Sequence, residues 1–264
     1  MTQVTYKSIP FTLSEHTQQP AYFVLGVRKS GSSILNSMVT ALAQRQGLPF
    51  VDIPGQLFKA GIKVDDWQKD PALSCVLGGG NVYGGFRNFP AGLQKHALFM
   101  ASKKVLLVRD PRDALVSEYF SNAFSHSLPQ EGDARDQMLT LRHQALQASI
   151  EAFVLERAAA MGRTLMEYAG SVGDPLLKLY RYEDVITRKR ALLEGIGAHF
   201  GWRLDAGHLG KVLEWADVLP DEERPTAFVR RVLPGDHRNK LAPAVIAQLN
   251  ARLAEPMRAF GYPP

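Results

Sequence analysis

The sequence has few of the features that mark disulfide-bonded, cysteine–metal, membrane-spanning or secreted proteins. It contains a single cysteine, Cys75, in 264 residues, which excludes an internal disulfide framework and a metal cluster built on several cysteines. No apolar run approaches the roughly 18 residues that a membrane-spanning helix needs. The polar segment 1–20 has no basic start followed by an apolar stretch, as a secretory signal would have. We therefore expect a cytoplasmic protein without a membrane span and treat 1–20 as an N-terminal extension.

Positive charge exceeds negative charge only slightly. Lys and Arg number 31 and Asp and Glu number 26, which gives a formal net charge of +5. Such an excess suits anionic ligands such as nucleotides and phosphorylated or sulfated small molecules. The basic residues form no stripe and do not alternate with aromatic residues, so nucleic-acid binding is not expected. A hydrophobic content of 45% fits one globular domain over residues 1–264.

Short apolar runs alternate with helical patterns along the chain. The patterns predict strands at 21–27, 50–52, 104–108 and 176–182, a flexible loop at 75–85, and helices at 34–42, from Pro111 onward, over 133–169 as a hairpin, from an Asp184 cap to 200, and at 243–260. Strands that alternate with helices indicate an α/β fold. We predict a three-layer sandwich of the P-loop type, with a central parallel sheet and helices on both faces.

The first strand is followed by a loop that suits an anion. The segment 26–33 reads Gly-Val-Arg-Lys-Ser-Gly-Ser-Ser and opens the first helix, where free backbone N–H groups bind anions. In nucleotide triphosphatases a lysine follows the second glycine of such a loop, and the next residue holds magnesium. Here Ser32 has the place of that lysine, and Lys29 precedes Gly31 by two residues. The loop alone is also compatible with an ordinary capped helix start.

A second basic position follows the clearest strand. Arg109 comes directly after 104–108, Asp110-Pro111 starts a helix, and Ser117 lies about two turns into that helix. Arg109 and Ser117 could therefore share one phosphate. An ion pair next to a helix cap is the alternative interpretation.

These two sites and two later motifs, taken together, resemble the sulfotransferases that use 3′-phosphoadenosine 5′-phosphosulfate (PAPS). The family has a Lys-Ser-Gly-Thr-Thr loop, an Arg-x-Pro-x-Asp segment followed by Ser, a Tyr-Glu-Asp and a late Phe-x-Arg-Lys-Gly…Gly-Asp-x-Lys-Asn. The matching segments, in the family's order, are 29–33, 109–113 with Ser117, 182–184, and 228–232 with 235–239. The resemblance extends over about residues 21 to 262, with 120–170 as a helical insertion on the acceptor side.

The resemblance implies an enzyme that moves a sulfuryl group from PAPS to a hydroxyl or amine acceptor, without a metal, and releases adenosine 3′,5′-bisphosphate (PAP). The acceptor would be a small molecule, a saccharide or a peptide. Lys29 would stabilise the leaving group, with Ser117 or Ser30 modulating it, while Tyr182 would lie by the adenine. The implied nucleotide-binding residues are Arg28, Lys29, Ser30, Gly31, Ser32, Ser33, Arg109, Ser117, Tyr182, Phe228, Arg230 and Arg231.

The base that activates the acceptor is missing from its usual place. Many family members carry a histidine in a Thr-His-Leu-Pro segment, where this chain has Asn88 in Phe86–Pro90. Another branch uses a carboxylate after the first helix, which points to Asp52, and His96 is a further candidate. His126 lies where family members contact the acceptor. We rank Asp52 slightly ahead of His96.

A second departure is Val232 in place of the glycine of the late motif, which removes a permissive backbone position. Two other functions remain open on the sequence. One is a P-loop kinase or nucleotide hydrolase, and the other is a protein that binds PAP without catalysis.

Overall fold

A five-stranded parallel sheet forms the centre of the computed structural model, which describes residues 1–218, 220, 222–227 and 229–263. The strands are β1 Thr2–Tyr6, β2 Ile9–Leu13, β3 Tyr22–Gly26, β4 Phe50–Asp52, β5 Val82–Phe86, β6 Lys103–Val108 and β7 Leu177–Arg181. The order in the large sheet is β4-β5-β3-β6-β7, and every neighbouring pair is parallel. All five carboxyl ends therefore meet at one edge, with those of β3 and β6 side by side near its middle.

Helices cover both faces of this sheet. They are α1 Ser32–Arg45, α2 Ile53–Lys59, α3 Ala97–Ala101, α4 Pro111–Phe120, α5 Asp133–Gln147, α6 Ile150–Ala169, α7 Tyr182–Val185, α8 Lys189–Phe200, α9 Ala206–Ala216, α10 Asp236–Lys240, α11 Pro243–Arg252 and α12 Ala254–Ala259. Apolar side chains of α1, α8 and α9 share one buried cluster with Val24 and Val105. Those of α4, α6, α11 and α12 share the other with Leu25 and Leu106. Alternate residues of β3 and β6 thus point into opposite layers, which confirms the predicted three-layer α/β fold.

The glycine-rich stretch predicted as a loop contains a central strand. Residues 82–86 form β5, fully buried between β4 and β3. A Cβ on Gly84 would lie 2.1 Å from the ring of Phe50 in β4. Gly85 has a φ of +82° and would bring a Cβ within 1.7 Å of Asp52 Oδ1. The glycines are there because side chains of β4 lie directly against this strand, so the prediction of a flexible loop over 75–85 is wrong for its second half.

Two predicted helices have different ends in the structure. Asp184 lies inside the short α7 instead of capping a long helix, and its Oδ2 accepts a 2.8 Å hydrogen bond from Arg181 Nε. The last helix divides at Leu253 into α11 and α12. Pro256 lacks the N–H that a continuous helix would donate to the carbonyl four residues earlier, which accounts for the break.

The N-terminal extension is an antiparallel hairpin. Lys7 and Ser8 form its turn with φ values of 47° and 64°, the left-handed pair that a tight two-residue hairpin needs. Phe11 and Leu13 of β2 are buried in the main core. In the described part of the chain, no helix is long and apolar enough to cross a membrane.

Candidate functional site

The loop between β3 and α1 presents a helix N-terminus at the carboxyl edge of the sheet. Ser30 is buried and donates its hydroxyl to the Val27 carbonyl at 2.7 Å, which closes the loop. Gly31, with a φ of +85°, precedes the first residue of α1, and no side chain caps that end. The N–H groups of Ser32 and Ser33 therefore have no partner within the helix. They form a site for an anion.

Lys29 lies in this loop in a strained conformation. Its φ is +63°, in the left-handed region that costs a non-glycine residue about 1–2 kcal/mol. Burial lowers the pKa of its ammonium from 10.5 to about 8. The charge of Glu118 opposes that change, and those of Arg109, Arg87 and Arg230 reinforce it. Lys29 is thus a desolvated cation among three other cations, and a bound polyanion would stabilise its charged form.

Arg109 connects the end of β6 to this loop. Its Nη1 donates to the Lys29 carbonyl at 3.2 Å, and its guanidinium carbon lies 4.4 Å from the centre of the Tyr182 ring. The Tyr182 ring also closes on Gly31, where an added Cβ would be 3.0 Å from Cε2. Arg109 Nε is buried without a hydrogen-bond partner among the described residues. Arg109 thus retains a buried donor for a ligand oxygen.

A buried aspartate fastens the late motif to α4. Asp113 accepts hydrogen bonds from the Gly235 N–H at 2.6 Å, the His237 N–H at 2.9 Å and His237 Nδ1 at 2.6 Å. Burial alone raises the pKa of Asp113, but the His237 hydrogen bonds and the Arg109 charge outweigh it and hold that pKa well below its usual range. The contact explains why Arg109–Asp113 and Gly235–Asn239 come together although more than 120 residues separate them.

The two arginines of the late motif are held by acidic side chains. Arg230 is buried, pairs with both Glu223 and Asp236, and stacks 4.1 Å over the ring of Phe120. Arg231 Nε lies 3.6 Å from Asp236 Oδ1. The charge of Arg230 reaches Lys29, whose pKa it lowers. Phe228, predicted to bind the nucleotide, lies outside the described residues.

Val232, which replaces a glycine of the family motif, has a defined contact. Its carbonyl accepts a 2.7 Å hydrogen bond from the Tyr182 hydroxyl, and the two side chains share a small buried cluster with Ile186. Burial raises the pKa of Tyr182, so its hydroxyl stays protonated and donates. The late segment is thereby attached to Tyr182, which itself contacts Gly31 and Arg109.

The remaining predicted nucleotide residues lie around the same edge. Ser117 is half-buried in α4, and its shared contact with a phosphate stays a prediction. Arg28 lies near the buried Tyr168 of α6, since its charge, like that of Arg87, counteracts the burial that raises the Tyr168 pKa.

A cationic group borders the loop on the side of β5. Arg87, the first residue after β5, donates from Nη2 to Ser33 Oγ at 3.0 Å and so lies beside the N-terminus of α1. Asn88, aligned with the family histidine, is half-buried. Arg87 was not predicted as a site residue, because the residues before it were predicted as a loop and not as the strand β5.

Asp52 lies at the same edge of the sheet. It ends β4 and caps α2, and its Oδ1 accepts the Gly55 N–H at 2.8 Å. The absence of a side chain at Gly85 admits this carboxylate to the end of β5. One oxygen of the candidate base is thus engaged in a helix cap.

His96 lies at the other edge. It precedes α3, Ala97–Ala101, which leads into the amino end of β6. Residues of α3 line a surface cavity together with Tyr22 and Lys103, which are the first residues of β3 and β6. Lys29 follows the opposite end of β3, about 15 Å away along five strand residues. The expectation that His96 acts as the base therefore does not agree with its position.

His126 lies on the surface between α4 and α2. It follows the π-helical turn Ser121–Ser125 that extends α4, and its ring meets Phe58 of α2 edge to face with centres 5.8 Å apart. Burial lowers its pKa below the usual value, and the charges of Lys29, Arg87 and Arg142 lower it further, against a hydrogen bond to the Ser127 carbonyl.

No group of three or more metal-ligating side chains occurs among residues 1–218, 220, 222–227 and 229–263. The residues at the site nevertheless suit a polyanionic nucleotide, because Arg109 has a buried unused donor and Lys29 is desolvated.

No protein-family model and no curated protein matches the chain. Several solved structures do. Mouse sulfotransferase SULT7A1, complexed with PAP, is 16% identical, with 97% of this chain and 95% of that chain covered and a TM-score of 0.63. Retinol dehydratase in complex with retinol and PAP is 14% identical, with coverage of 91% and 82% and a TM-score of 0.51. The sulfotransferase domain from the curacin biosynthetic pathway is 14% identical, with coverage of 93% and 98% and a TM-score of 0.50. The chain therefore has the fold of the sulfotransferases.

Proposed function

We propose that the protein is a sulfotransferase that moves the sulfuryl group of PAPS to a hydroxyl or amine acceptor. The observation that carries this proposal is the joined pair of cationic positions at the ends of β3 and β6. Arg109 donates to the Lys29 carbonyl, so an anion at the α1 N-terminus and a second at Arg109 would lie close enough for one ligand to carry both. PAPS has two such groups, at its 5′ and 3′ positions.

The residues of the loop suit sulfuryl transfer better than transfer from ATP with magnesium. A sulfuryl group carries less negative charge than a terminal phosphoryl group, so one lysine at the bridging oxygen is enough to offset the charge that develops there. Lys29 Nζ has that role. The N–H groups of Ser32 and Ser33 bind the 5′ group, and Arg109 with Ser117 binds the 3′-phosphate. Arg230 and Arg231 close over the nucleotide, and Tyr182 lies against the adenine.

The acceptor of this proposed reaction is a small molecule, a saccharide or a peptide, and the protein acts in the cytoplasm without binding nucleic acid. A small molecule is supported by retinol dehydratase, which was crystallised with retinol, an alcohol, together with PAP. The cytoplasm is supported by the single cysteine.

The test is the turnover of labelled PAPS in EDTA with a panel of phenols, sugars and hydroxyl-bearing peptides. Wild type should produce PAP and a sulfated acceptor, while Lys29→Met should lose transfer by at least about 100-fold. Lys69→Met, an exposed position, is the matched control and should act as wild type. Full activity of Lys29→Met would overturn the assignment of Lys29.

A second function is favoured by Asn88 in the place of the family histidine. A non-catalytic PAP-binding protein would bind PAP with the same Arg109 dependence and transfer nothing to any acceptor of the panel. A requirement for ATP and magnesium would instead support a kinase.

A further inference from the structure

Arg109 lies beside a carboxylate with which it forms no hydrogen bond. Its Nη2 is 3.8 Å from Asp113 Oδ2, whereas a hydrogen bond between such atoms spans roughly 2.7–3.2 Å. Both side chains are buried, and a buried arginine gains most from a direct, short contact with a carboxylate. The Arg109 Nε atom also has no hydrogen-bond partner among the described residues. Other contacts must therefore hold the carboxylate away from Arg109.

The late motif supplies three hydrogen bonds to the two oxygens of Asp113. The Gly235 N–H donates to Oδ2 at 2.6 Å, and the His237 N–H and Nδ1 donate to Oδ1 at 2.9 and 2.6 Å. Almost any residue at positions 235 and 237 would keep the two backbone donors. Only the donor on the His237 ring depends on the identity of a side chain, and the family motif leaves that position open, as the x of Gly-Asp-x-Lys-Asn.

The hydrogen bond from the His237 ring is strong and shielded from solvent. Burial raises the pKa of Asp113, but the His237 hydrogen bonds and the Arg109 charge hold that pKa well below its usual range. The carboxylate is therefore ionised and can only accept, so Nδ1 carries the proton. The Asp113 and His237 side chains are 1% and 3% exposed. Because the low dielectric of the interior strengthens a hydrogen bond to a charge, this contact fixes the orientation of the carboxylate.

A second carboxylate of the late motif has the same relation to an arginine. Asp236 pairs through Oδ2 with Arg230, while its Oδ1 lies 3.6 Å from Arg231 Nε. Among the described residues, neither this Oδ1 nor Arg231 Nε has a hydrogen-bond partner. Arg109 and Arg231 thus each keep a buried donor beside a carboxylate that other groups hold in place. Guanidinium donors in this state suit a ligand phosphate.

We infer that His237 is a positioning residue for the 3′-phosphate, because its ring holds Asp113 away from Arg109 and so leaves the Arg109 donors for the ligand. This inference rests on the proposed function, which assigns the 3′-phosphate to Arg109. Without the ring, the Asp113 carboxylate turns toward Arg109, and the charge-assisted hydrogen bonds between them take the donors that the phosphate would use. The late motif thus places Arg230 and Arg231 at the nucleotide and also keeps Arg109 available.

The first test is a crystal structure of ligand-free His237→Leu, which does not depend on any nucleotide. An oxygen of Asp113 should lie within about 3 Å of an Arg109 guanidinium nitrogen. In His237→Asn, whose amide nitrogen is bonded to Cγ as Nδ1 is in histidine, the wild-type separation of 3.8 Å should remain. His237→Phe takes the place of His237→Leu if leucine prevents folding. An Asp113 carboxylate that stays at its wild-type distance without the ring donor would overturn the inference.

The second test measures the binding of PAP and of adenosine 5′-phosphate by calorimetry. His237→Leu should lose about 10-fold or more in affinity for PAP, the effect of one hydrogen bond to a charged group. It should lose little for adenosine 5′-phosphate, which lacks the 3′-phosphate, and His237→Asn should bind both as wild type does. Asp113→Asn added to His237→Leu should restore much of the PAP affinity, because the asparagine has no charge with which to hold Arg109. Equal losses for the two nucleotides, or no recovery in the double variant, would refute the role of His237.

His143→Leu is the matched control, because His143 is exposed on α5, and it should bind both nucleotides as wild type does. Turnover of PAPS separates positioning from a loss of folded protein. His237→Leu should raise the KM for PAPS at nearly unchanged kcat, whereas a smaller folded fraction lowers the apparent kcat. Wild-type protein that fails to bind PAP contradicts the proposed function, while the ligand-free structure still decides whether His237 keeps Asp113 away from Arg109.

Discussion

Replacing Lys29 with methionine should stabilise the protein while it removes transfer. The folded site lowers the pKa of Lys29 from 10.5 to about 8, chiefly by burial. One pKa unit corresponds to about 1.4 kcal/mol, so keeping this lysine charged in the folded state at pH 7 costs about 2 to 3 kcal/mol, the lower figure allowing for its partial exposure. Methionine fills similar space, carries no charge and has the same left-handed strain, so the variant should gain that amount.

The pH dependence of this gain has a definite sign. Because the folded pKa lies below the unfolded one, the unfolded chain binds more protons between about pH 8 and pH 10.5. The destabilisation of wild type is therefore complete below pH 8 and disappears as the pH rises to 10.5. The difference in the free energy of unfolding between Lys29→Met and wild type should fall over the same range.

Urea unfolding of wild type, Lys29→Met and the exposed control Lys69→Met at several pH values measures this effect. The control should stay within about 0.5 kcal/mol of wild type. If Lys29→Met is equally or less stable at pH 7, Lys29 is not desolvated in the folded protein. That result would also refute the claim that a bound polyanion stabilises the charged form of Lys29.

Two further predictions concern the groups around Lys29. Arg109→Met should weaken PAP binding by about 10- to 100-fold, because a charged hydrogen bond contributes about 1.5–3 kcal/mol. Binding of adenosine 5′-phosphate, which lacks the 3′-phosphate, should be nearly unchanged. Equal losses for both nucleotides in calorimetry would contradict the assignment of the 3′-phosphate to Arg109. Asp113→Asn should lower the free energy of unfolding at pH 7 by about 1–3 kcal/mol, since the asparagine NH2 group cannot accept one of the buried hydrogen bonds that the carboxylate accepts from Gly235 and His237. The pKa of Asp113 in the folded protein lies below its ordinary 3.8. In urea unfolding, the difference in stability between wild type and Asp113→Asn should therefore be full above about pH 4 and decrease as the pH falls further. A difference that stays constant with pH would contradict the lowered pKa of Asp113.

The parts of the fold that the sequence predicted are those with strong local patterns. The unbroken apolar run 105–108 predicted β6, and the helical spacing over 133–169 predicted the hairpin of α5 and α6. β5 was missed because its glycines are explained only by Phe50 and Asp52 of the neighbouring strand. Its local sequence is that of a loop, and only tertiary packing makes it a strand.

The candidate site divides in the same way. Lys29 and Arg109 could be predicted because Lys29 lies in the loop after β3 and Arg109 directly follows β6, and parallel strands end at one edge. His96 could not be excluded from the sequence, since the edge at which it lies depends on how α3 enters β6. The hydrogen bond from Arg87 to Ser33 at the start of α1 joins residues 54 positions apart, which no local pattern encodes.

The most direct measurement of the central claim is the thermal stability of the protein with PAP, with ADP, and with ATP plus magnesium. A ligand at ~100 times its dissociation constant stabilises the folded state by ~2.7 kcal/mol, enough to raise the melting temperature by several degrees. If Lys29 and Arg109 form a site for a nucleotide with 5′ and 3′ anionic groups, PAP in EDTA should give the largest increase and ADP little. An increase only with ATP and magnesium would contradict the sulfotransferase account.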